Sequence, residues 1–296
     1  MNRKKLSKAR VFYLILIYTA VAFITITCMV PIINLLATSF SSSQAIIENR
    51  VGLLPVEFTT KAYTFVLSNR EFWTSFGVSL KRVLIGVPLN VLMIVLVGYP
   101  LSKSEYVFPA RKYYVAFMLT VMLFNGGMMP SYFIVAKTGL IDTIWALVFP
   151  GAVPIFSCIV LMNFFRGIPG ELEESARLDG ANQLDILVKI YLPLSKPSLA
   201  TVTLFSLVGH WNAWFDAMLF IRKRDLYPLQ IILREILIAN STDSMMAGSG
   251  MSSDVEAIGE SIKYATIVIA TAPILCVYPF IQKYFTKGVM LGAVKG

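Results

Sequence analysis

Residues 171–197 read ELEESARLDGANQLDILVKIYLPLSKP, an acidic stretch between two apolar ones. Pro169 and Gly170 come just before it and interrupt the preceding apolar segment. The glutamates that follow fall in a first helical turn, where carboxylates suit the positive end of the helix dipole. Gly180 follows an aspartate and is free to take the left-handed conformation that a helix C-terminus requires. The stretch therefore predicts a short helix that ends at a glycine.

A second short helix is predicted directly after the first. It begins after Asn182 and ends at Pro193, because proline lacks the backbone N–H that a helix interior needs. Its apolar residues recur at helical spacing and are expected on one face: Leu184, Leu187, Val188 and Tyr191. In the first helix, Glu173 and Arg177 lie four residues apart and can form an ion pair. Two short helices joined at a glycine indicate a docking surface for another protein.

The composition of the 296-residue chain is that of an integral membrane protein. Hydrophobic residues make up 56% and charged residues only 15%, against about 25% charged residues in soluble domains. The net charge of +9 is expected to face anionic lipid rather than nucleic acid. The three cysteines are isolated within apolar runs, which favours buried or lipid-facing side chains over a disulfide or a metal site.

Six apolar stretches are each near the ~20 residues that a helix needs to cross a bilayer. They are residues 11–36, 83–101, 113–135, 143–165, 198–221 and 264–284. The first follows a basic segment but is longer than the core of a signal peptide, so we expect a retained helix. The sequence thus predicts an all-α integral membrane fold, with one transmembrane domain over residues 1–296.

The distribution of lysine and arginine predicts the orientation of the chain. Six spans place both termini on one side, together with residues 102–112 and the loop 166–197. Basic residues are denser in these segments than in residues 41–82, 136–142 and 222–263 on the other side. Since cytoplasmic loops are enriched in lysine and arginine, both termini and the loop 166–197 are predicted to be cytoplasmic.

The sequence argues against an enzyme. The glycine-rich loop GxxxxGK[ST] that cradles ATP phosphates is missing from it, and a single histidine disfavours a histidine-based metal site. His210 and Asp216 lie six residues apart, so they are not expected on one helical face. We predict a chain that has no catalytic residues and holds no metal or cofactor itself.

Polar residues in the predicted spans are the candidates for a substrate pathway. The fifth span holds His210, Trp211, Asn212, Trp214 and Asp216 in its outer half. An ionisable group at membrane depth indicates a functional site, although tryptophan also favours the membrane interface, so pathway lining and interfacial anchoring both stay open. Aromatic rings beside amide and carboxylate groups suit a sugar.

The third predicted span contains FNGGMMPSYF, residues 124–133. Its two glycines and Pro130 are expected to interrupt the helix, which is tolerated only where protein or a water-filled cavity satisfies the backbone. Asn125 is therefore a further candidate for the pathway, with a close helix contact as the alternative.

The 171–197 stretch resembles the EAA loop of ABC-importer membrane subunits. The matching residues are Glu174-Ser175-Ala176, Asp179-Gly180-Ala181, Ile190-Tyr191-Leu192-Pro193 and Pro197, with Ser175 in place of the middle alanine. The segment IPGELEESARLDGA, the Trp211-Asn212 pair and the C-terminal YPFIQKYFTKGVMLGAVKG resemble carbohydrate-uptake permeases. The second permease of the maltose importer is similar, and so are permeases of the LplC/YtcP type.

This resemblance implies a type I importer permease with six transmembrane helices, in a bacterial cell (inner) membrane. It implies a heterodimer with a second, homologous permease, two cytoplasmic ATPase subunits that bind ATP and Mg, and an extracellular solute-binding protein that delivers an oligosaccharide. We call residues 166–197 the coupling loop. The residues expected to couple it to an ATPase are Glu173, Glu174, Ser175, Ala176, Asp179, Gly180, Ala181 and Leu184.

Two alternatives remain at this point. A permease of the same architecture could carry a peptide, a phosphonate or a polyamine, and Asp216 would suit a cation while the Trp-Asn pair suits a sugar better. An ion-coupled secondary transporter would be expected to show inverted repeats, which the sequence lacks, and would have no use for the coupling loop.

Overall fold

The computed structural model describes residues 8–124, 126–246, 260–277 and 279, and within these ranges no residue lies in a β-strand. The first helices are α1 (Lys8–Ser39), α2 (Ser43–Ile47), α3 (Lys61–Ser68), α4 (Arg70–Ser102), α5 (Arg111–Leu123) and α6 (Met128–Lys137). Two 3-10 turns, Ile144–Leu147 and Phe149–Gly151, lead into α7 (Ile155–Arg166). The coupling loop holds α8 (Gly170–Leu178), α9 (Gln183–Ile186), a π-helical turn (Leu187–Tyr191) and α10 (Leu192–Leu194). After it come α11 (Lys196–Asn212), α12 (Phe215–Phe220), a 3-10 turn (Arg224–Leu226), α13 (Leu229–Met246) and α14 (Glu260–Val277).

Among the described residues, three helices are long and apolar enough to cross a membrane. They are Ala9–Ser39, Arg70–Ser102 and Glu260–Val277. Two bent pairs, Arg111–Leu123 with Met128–Lys137 and Ile144–Gly151 with Ile155–Arg166, raise the number to five if each pair is one span. The expected fifth span, residues 198–221, is formed by α11 and α12 with an interruption between them. The all-helical class predicted from the sequence is confirmed.

The second long helix begins earlier than the sequence indicated. It was expected from residue 83, after two basic residues, but α4 begins at Arg70 and passes through both. Arg82 is only 3% exposed, because it lies on the buried face of the helix together with Ser75, Ser79 and Gly86. Lys81 and Arg82 therefore do not mark the start of the helix. Both lie within α4, and Arg82 points into the helix bundle.

The chain divides into two compact units. The first comprises the described parts of residues 1–69 and 233–271. In it, none of the side chains in the most apolar window of α1 is buried, as expected of a helix whose surroundings are lipid. The chain after α1 is held by local contacts, including a 2.7 Å hydrogen bond between the hydroxyls of Ser39 and Tyr63 and stacking of Phe40 on Phe58 and Tyr63.

The second unit comprises the described parts of residues 70–232 and 272–296, and α4 is its central helix. Both α7 and α11 pack along α4. Helix α7 lies close to α4 at Gly98, where an added Cβ would make an ordinary van der Waals contact of 3.5 Å with the backbone nitrogen of Met162. The core between these helices is apolar and contains Ile94, Tyr99, Leu161, Phe165, Leu187, Tyr191 and Val202. The coupling loop is therefore packed on the same core as α4.

Candidate functional site

The coupling loop forms the two short helices that its sequence predicts. Helix α7 ends at Arg166, α8 begins at Gly170 after Pro169, and Gly180 has a φ of +82°, in the left-handed region. The side chain of Asn182 then caps α9 by accepting hydrogen bonds from the backbone N–H groups of Leu184 and Asp185, both at 2.9 Å. These local signals determine the shape of the loop.

The apolar face of the second helix differs from the prediction. Leu187 and Tyr191 are buried, but Leu184 is 69% exposed and Val188 is 56% exposed. Residues 187–191 form a π-helical turn, whose wider spacing shifts the register that a regular helix would have. The helical path also continues to Leu194, past the expected end at Pro193. Four residues expected on one face are thus divided between the core and the surface.

The eight residues expected to couple to an ATPase are divided in the same way. Five are exposed: Glu174, Ser175, Asp179, Gly180 and Leu184. Three face the unit's own core or its edge: Glu173, Ala176 and Ala181. The exposed side also includes Leu178, which is 89% exposed and was not selected from the sequence. Its position four residues after Glu174, on the same helical face, was the signal that could have identified it.

Glu173 is the centre of an ionic and aromatic cluster at the inner side of α8. Its Oε2 accepts hydrogen bonds from Lys103 Nζ at 2.7 Å and from the Tyr191 hydroxyl at 2.6 Å. Its Oε1 accepts one from Arg177 Nη2 at 2.7 Å, which confirms the predicted i,i+4 pair. Lys103 Nζ also lies 3.9 Å from the ring centroid of Tyr99 and 4.2 Å from that of Tyr191. We call these five residues the Glu173 cluster.

The electrostatics of the Glu173 cluster favour a permanently ionised carboxylate. Burial alone would raise the pKa of Glu173, but the hydrogen bonds from Lys103, Tyr191 and Arg177 outweigh it and lower the pKa to about 2. Burial lowers the pKa of Lys103, and the Glu173 carboxylate offsets part of that shift. A cavity of about 530 Å³ opens beside the cluster, lined by Lys103, Glu173 and Glu174 among others.

A second polar cluster lies inside the helical core of the same unit. Arg82 on α4 forms an ion pair with Asp216 on α12 and donates its Nε–H to His210 Nδ1 at 3.4 Å. His210 Nε2 and Asn90 Oδ1 are 2.8 Å apart, and Asn90 Nδ2 donates to the carbonyl of Gly151 at 3.0 Å. This chain of contacts is consistent only with a neutral imidazole whose proton is on Nε2. We call Arg82, Asn90, His210 and Asp216 the Arg82 cluster.

The Arg82 cluster depends on the interruption between α11 and α12. Helix α11 ends at Asn212 and α12 begins at Phe215, and Arg82 Nη1 donates to the carbonyl of Ala213 between them at 3.3 Å. The guanidinium thus donates the hydrogen bond that this carbonyl would have accepted from the backbone of a continuous helix. Because the helix breaks, His210 and Asp216 both reach Arg82. The expectation that they lie on different faces was wrong, since it assumed one continuous helix.

A cavity of about 240 Å³ adjoins this cluster. The side chains of Arg82, Asn90, His210 and Asp216 line it, together with Ser157 and Ser206. The Ser206 hydroxyl is buried and makes no hydrogen bond to any residue that the structure describes. The cavity thus has a polar side, formed by the Arg82 cluster and the two serines, and an apolar side that includes Leu147 and Phe205. The Ser206 hydroxyl is available to a further hydrogen-bonding group.

The remaining pathway candidates are not part of the Arg82 cluster, and one of them lies outside the described residues. Trp211 is buried with its ring 5.8 Å from that of Phe76, Asn212 is exposed, and Trp214 is partly buried against a separate apolar cluster. Asn125 lies outside the described residues, although α5 does end at Leu123 and α6 does begin at Met128. Sequence reasoning missed Arg82 and Asn90. Both lie four residues from Gly86, a spacing that places all three residues on one face of a helix and could have indicated a buried polar face.

No group of three or more His, Cys, Asp or Glu side chains that could hold a metal ion occurs in the described ranges. Cys28 and Cys158 are free thiols, the first exposed and the second buried.

Comparisons with known proteins agree with the fold. A family model described as "Binding-protein-dependent transport system inner membrane component" matches residues 79–291. The polygalacturonan/rhamnogalacturonan transport system permease protein YtcP of Bacillus subtilis is 38% identical over 288 residues, 95% of this chain and 97% of its own length. Protein LplC of the same organism is 40% identical over 268 residues, 90% of each chain.

A solved structure extends the match to three dimensions. It is that of a bacterial ABC transporter involved in the import of the acidic polysaccharide alginate. One of its chains aligns with a TM-score of 0.82 and 32% identity, over 95% of this chain and 99% of its own. The resemblance drawn from the coupling loop, and the importer permease fold that it implied, are confirmed.

Proposed function

Because the chain belongs to the family of binding-protein-dependent transport system inner membrane components, we propose that it is a permease subunit of an ATP-driven importer of oligosaccharides. The coupling loop carries this proposal, since it presents an acidic and apolar outer face while its inner face is fixed to the core of the chain. Such a surface is suited to a protein partner that moves the loop. ATP and Mg would be bound by that partner, and this chain would hold neither.

The outer face of the coupling loop fits the groove of a soluble partner. Leu178, Leu184 and Val188 expose 89%, 69% and 56% of their surface, next to the exposed carboxylate of Glu174. Exposed apolar residues on a polar loop favour a protein interface, where their burial contributes roughly 25 cal/mol per Å². We assign the coupling role of Glu174, Ser175, Asp179, Gly180 and Leu184 to this interface, with Leu178 and Val188 added. The other three expected residues, Glu173, Ala176 and Ala181, would contribute by holding the loop on the chain's own core.

The partners and orientation follow from this assignment. A second, homologous permease would complete the translocation pathway, two ATPase subunits would bind on the cytoplasmic side, and an extracellular solute-binding protein would deliver the substrate. The coupling loop and both termini would then be cytoplasmic, in a bacterial cell membrane. The denser lysine and arginine content of these segments supports this orientation.

The proposed substrate is an oligosaccharide. The names of two relatives support it, since one is a permease for polygalacturonan/rhamnogalacturonan and one belongs to a transporter of alginate. The cavity beside the Arg82 cluster is the part of this chain best suited to line the passage, since His210 and Asp216 give it a polar side. Trp211, Asn212, Trp214 and Asn125 were expected there too, and of these Trp211 and Trp214 face apolar neighbours in the structure.

Replacing Leu184 with aspartate tests the docking surface. The side chain is exposed, so we expect the variant to fold as the wild type does. A charge placed in an apolar interface opposes docking, and we expect the ATPase subunits to bind at least about tenfold more weakly, equivalent to ~1.4 kcal/mol. Co-purification of the ATPase subunits with the membrane complex measures this.

Leu54→Asp is the matched control. Leu54 is 77% exposed but lies outside the coupling loop, so this variant should retain the ATPase subunits. If Leu184→Asp retains them equally well, the coupling loop is not the docking surface.

A further inference from the structure

We infer that Lys103 and Glu173 form the joint through which the coupling loop moves α4, and that Lys103 is a positioning residue for transport. This inference rests on the proposed function, because it concerns how movement imposed by an ATPase enters the membrane helices. It assigns different tasks to neighbouring acids: Glu174 faces the partner, whereas Glu173 faces the chain's own helices.

Lys103 directly follows α4, which ends at Ser102. It is 8% exposed, and its ammonium group contacts the Glu173 carboxylate on α8 and the Tyr191 ring on the π-helical turn. The Tyr99 ring, one turn earlier on α4, lies against the same ammonium group. The end of α4 and both halves of the coupling loop therefore meet at one cation.

These contacts differ in what they connect. The pair between Glu173 and Arg177 lies within α8 and stiffens that helix only. The contacts of Glu173 with Lys103 and Tyr191 join α8 to α4 and to the π-helical turn. An ammonium group held between a carboxylate and two aromatic faces resists displacement in several directions, because each contact has its own preferred geometry. The cluster is thus suited to transmit a push or a pull from α8.

Stability alone does not account for such a joint. A buried ion pair is often no more stabilising than well-packed apolar side chains of similar volume, because both charges must be desolvated. The core beside the cluster is already apolar, with Phe165, Leu187 and Ile186 almost fully buried. The Lys103–Glu173 pair adds a directional connection between the end of α4 and α8.

Helix α4 carries the movement onwards without an intervening loop. It is helical from Arg70 to Ser102, through Pro88 and Pro100, and it holds Arg82 of the Arg82 cluster. The helix between residues 82 and 102 is about 30 Å long at ~1.5 Å per residue, which is the thickness of the hydrocarbon core. A displacement at Lys103 would therefore reach the Arg82 cluster, where Arg82 joins α4 to the break between α11 and α12.

The test uses the complete transporter in proteoliposomes, with an oligosaccharide digest of polygalacturonan as the probe. Uptake and ATP hydrolysis are measured together for the wild type, Lys103→Met and Lys103→Arg. For Lys103→Met we expect the ATPase subunits to stay bound and to hydrolyse ATP, but uptake per ATP to fall at least about fivefold, the lower end of typical coupling between sites. Lys103→Arg should restore the ratio, since a guanidinium group pairs with a carboxylate and stacks on aromatic rings.

Glu173→Gln should lower the ratio as Lys103→Met does, and the double variant should be no worse than either single one. The control Lys112→Met removes an exposed lysine at the start of α5 and should leave the ratio unchanged. Two results contradict the proposed role of Lys103 and Glu173. One is an unchanged uptake per ATP in Lys103→Met, and the other is a loss of the ATPase subunits comparable to that in Leu184→Asp.

Failure of the proposed function gives a different result. The wild type itself would then show no ATP-driven uptake of the digest. If the solute-binding protein still stimulates ATP hydrolysis by the wild type, only the choice of substrate has failed. Lys103→Met should then abolish this stimulation and Lys103→Arg should keep it, as the proposed role of Lys103 requires. Equal stimulation in Lys103→Met and the wild type contradicts it.

Discussion

Asp216→Ala is expected to destabilise the chain by ~3 kcal/mol or more, because it leaves the Arg82 guanidinium buried without its counter-ion. The Arg82 side chain is 4% exposed and that of Asp216 is 29% exposed, so the arginine cannot be rehydrated without opening the helix bundle. Such a loss is a large fraction of the ~5–15 kcal/mol that stabilises a typical domain. Thermal unfolding in detergent, followed by the fraction of monodisperse protein, measures the effect.

Two further variants separate the buried pair from ordinary surface charges. Glu71→Gln removes one partner of the more exposed Glu71–Arg224 pair, which should change stability by no more than ~1 kcal/mol. The double variant Arg82→Met with Asp216→Leu removes both buried charges and should recover most of the stability. If Asp216→Ala is as stable as Glu71→Gln, another group must compensate the buried charge of Arg82.

Gly86→Ala is also expected to change stability strongly. It should destabilise the chain, whereas replacing glycine with alanine inside a helix usually stabilises it. A Cβ at Gly86 would lie 2.5 Å from the Cε1 and Nε2 atoms of His210. The ring cannot turn away freely, because Arg82 and Asn90 hold its two nitrogens. We expect overpacking to destabilise the chain by ~1–3 kcal/mol, with the His210–Asn90 hydrogen bond lost in addition.

Gly77→Ala in the same helix is the matched control. Nothing lies within 4 Å of a Cβ at Gly77, so alanine should stabilise α4 by up to ~1 kcal/mol through its higher helix propensity. Unfolding midpoints of the two variants should therefore move in opposite directions. If both move upwards, the close contact between α4 and His210 does not exist in the folded protein.

The shape of the coupling loop was predictable from sequence because its determinants are local. Pro169, Gly180 and Asn182 each act within a few residues, and the structure uses each as expected. The faces of the second helix were not predictable in the same way. The π-helical turn changes the register after Ile186, and packing of Leu187 and Tyr191 on α4 and α7 determines it rather than the local sequence.

The Arg82 cluster was only partly accessible to sequence reasoning. His210 and Asp216 were selected as ionisable groups in an apolar stretch, but no glycine or proline marks the break at residues 213–214. That break is stabilised by Arg82, which lies more than a hundred residues earlier in the chain. Arg82 itself was placed at the end of the segment 41–82, outside the span that was expected to begin at residue 83. The i, i+4 spacing with Gly86 and Asn90 indicates a buried polar face instead.

The Glu173 cluster was also only partly predictable from the sequence. The sequence indicates the pair of Glu173 with Arg177 because both lie on one helix. Lys103 and Tyr191 reach Glu173 only through the packing of the coupling loop on α4. Local patterns thus predict pairs within one helix, whereas contacts between helices determine the other partners.

The central claim is that this chain couples oligosaccharide import to ATP hydrolysis by a separate subunit. The most direct test is uptake of the polygalacturonan digest by proteoliposomes that contain the chain with its second permease and ATPase subunits. We predict uptake only when ATP is present on the ATPase side and the solute-binding protein on the other, with no effect of collapsing proton or sodium gradients. Uptake that follows an ion gradient and proceeds without ATP would contradict the account.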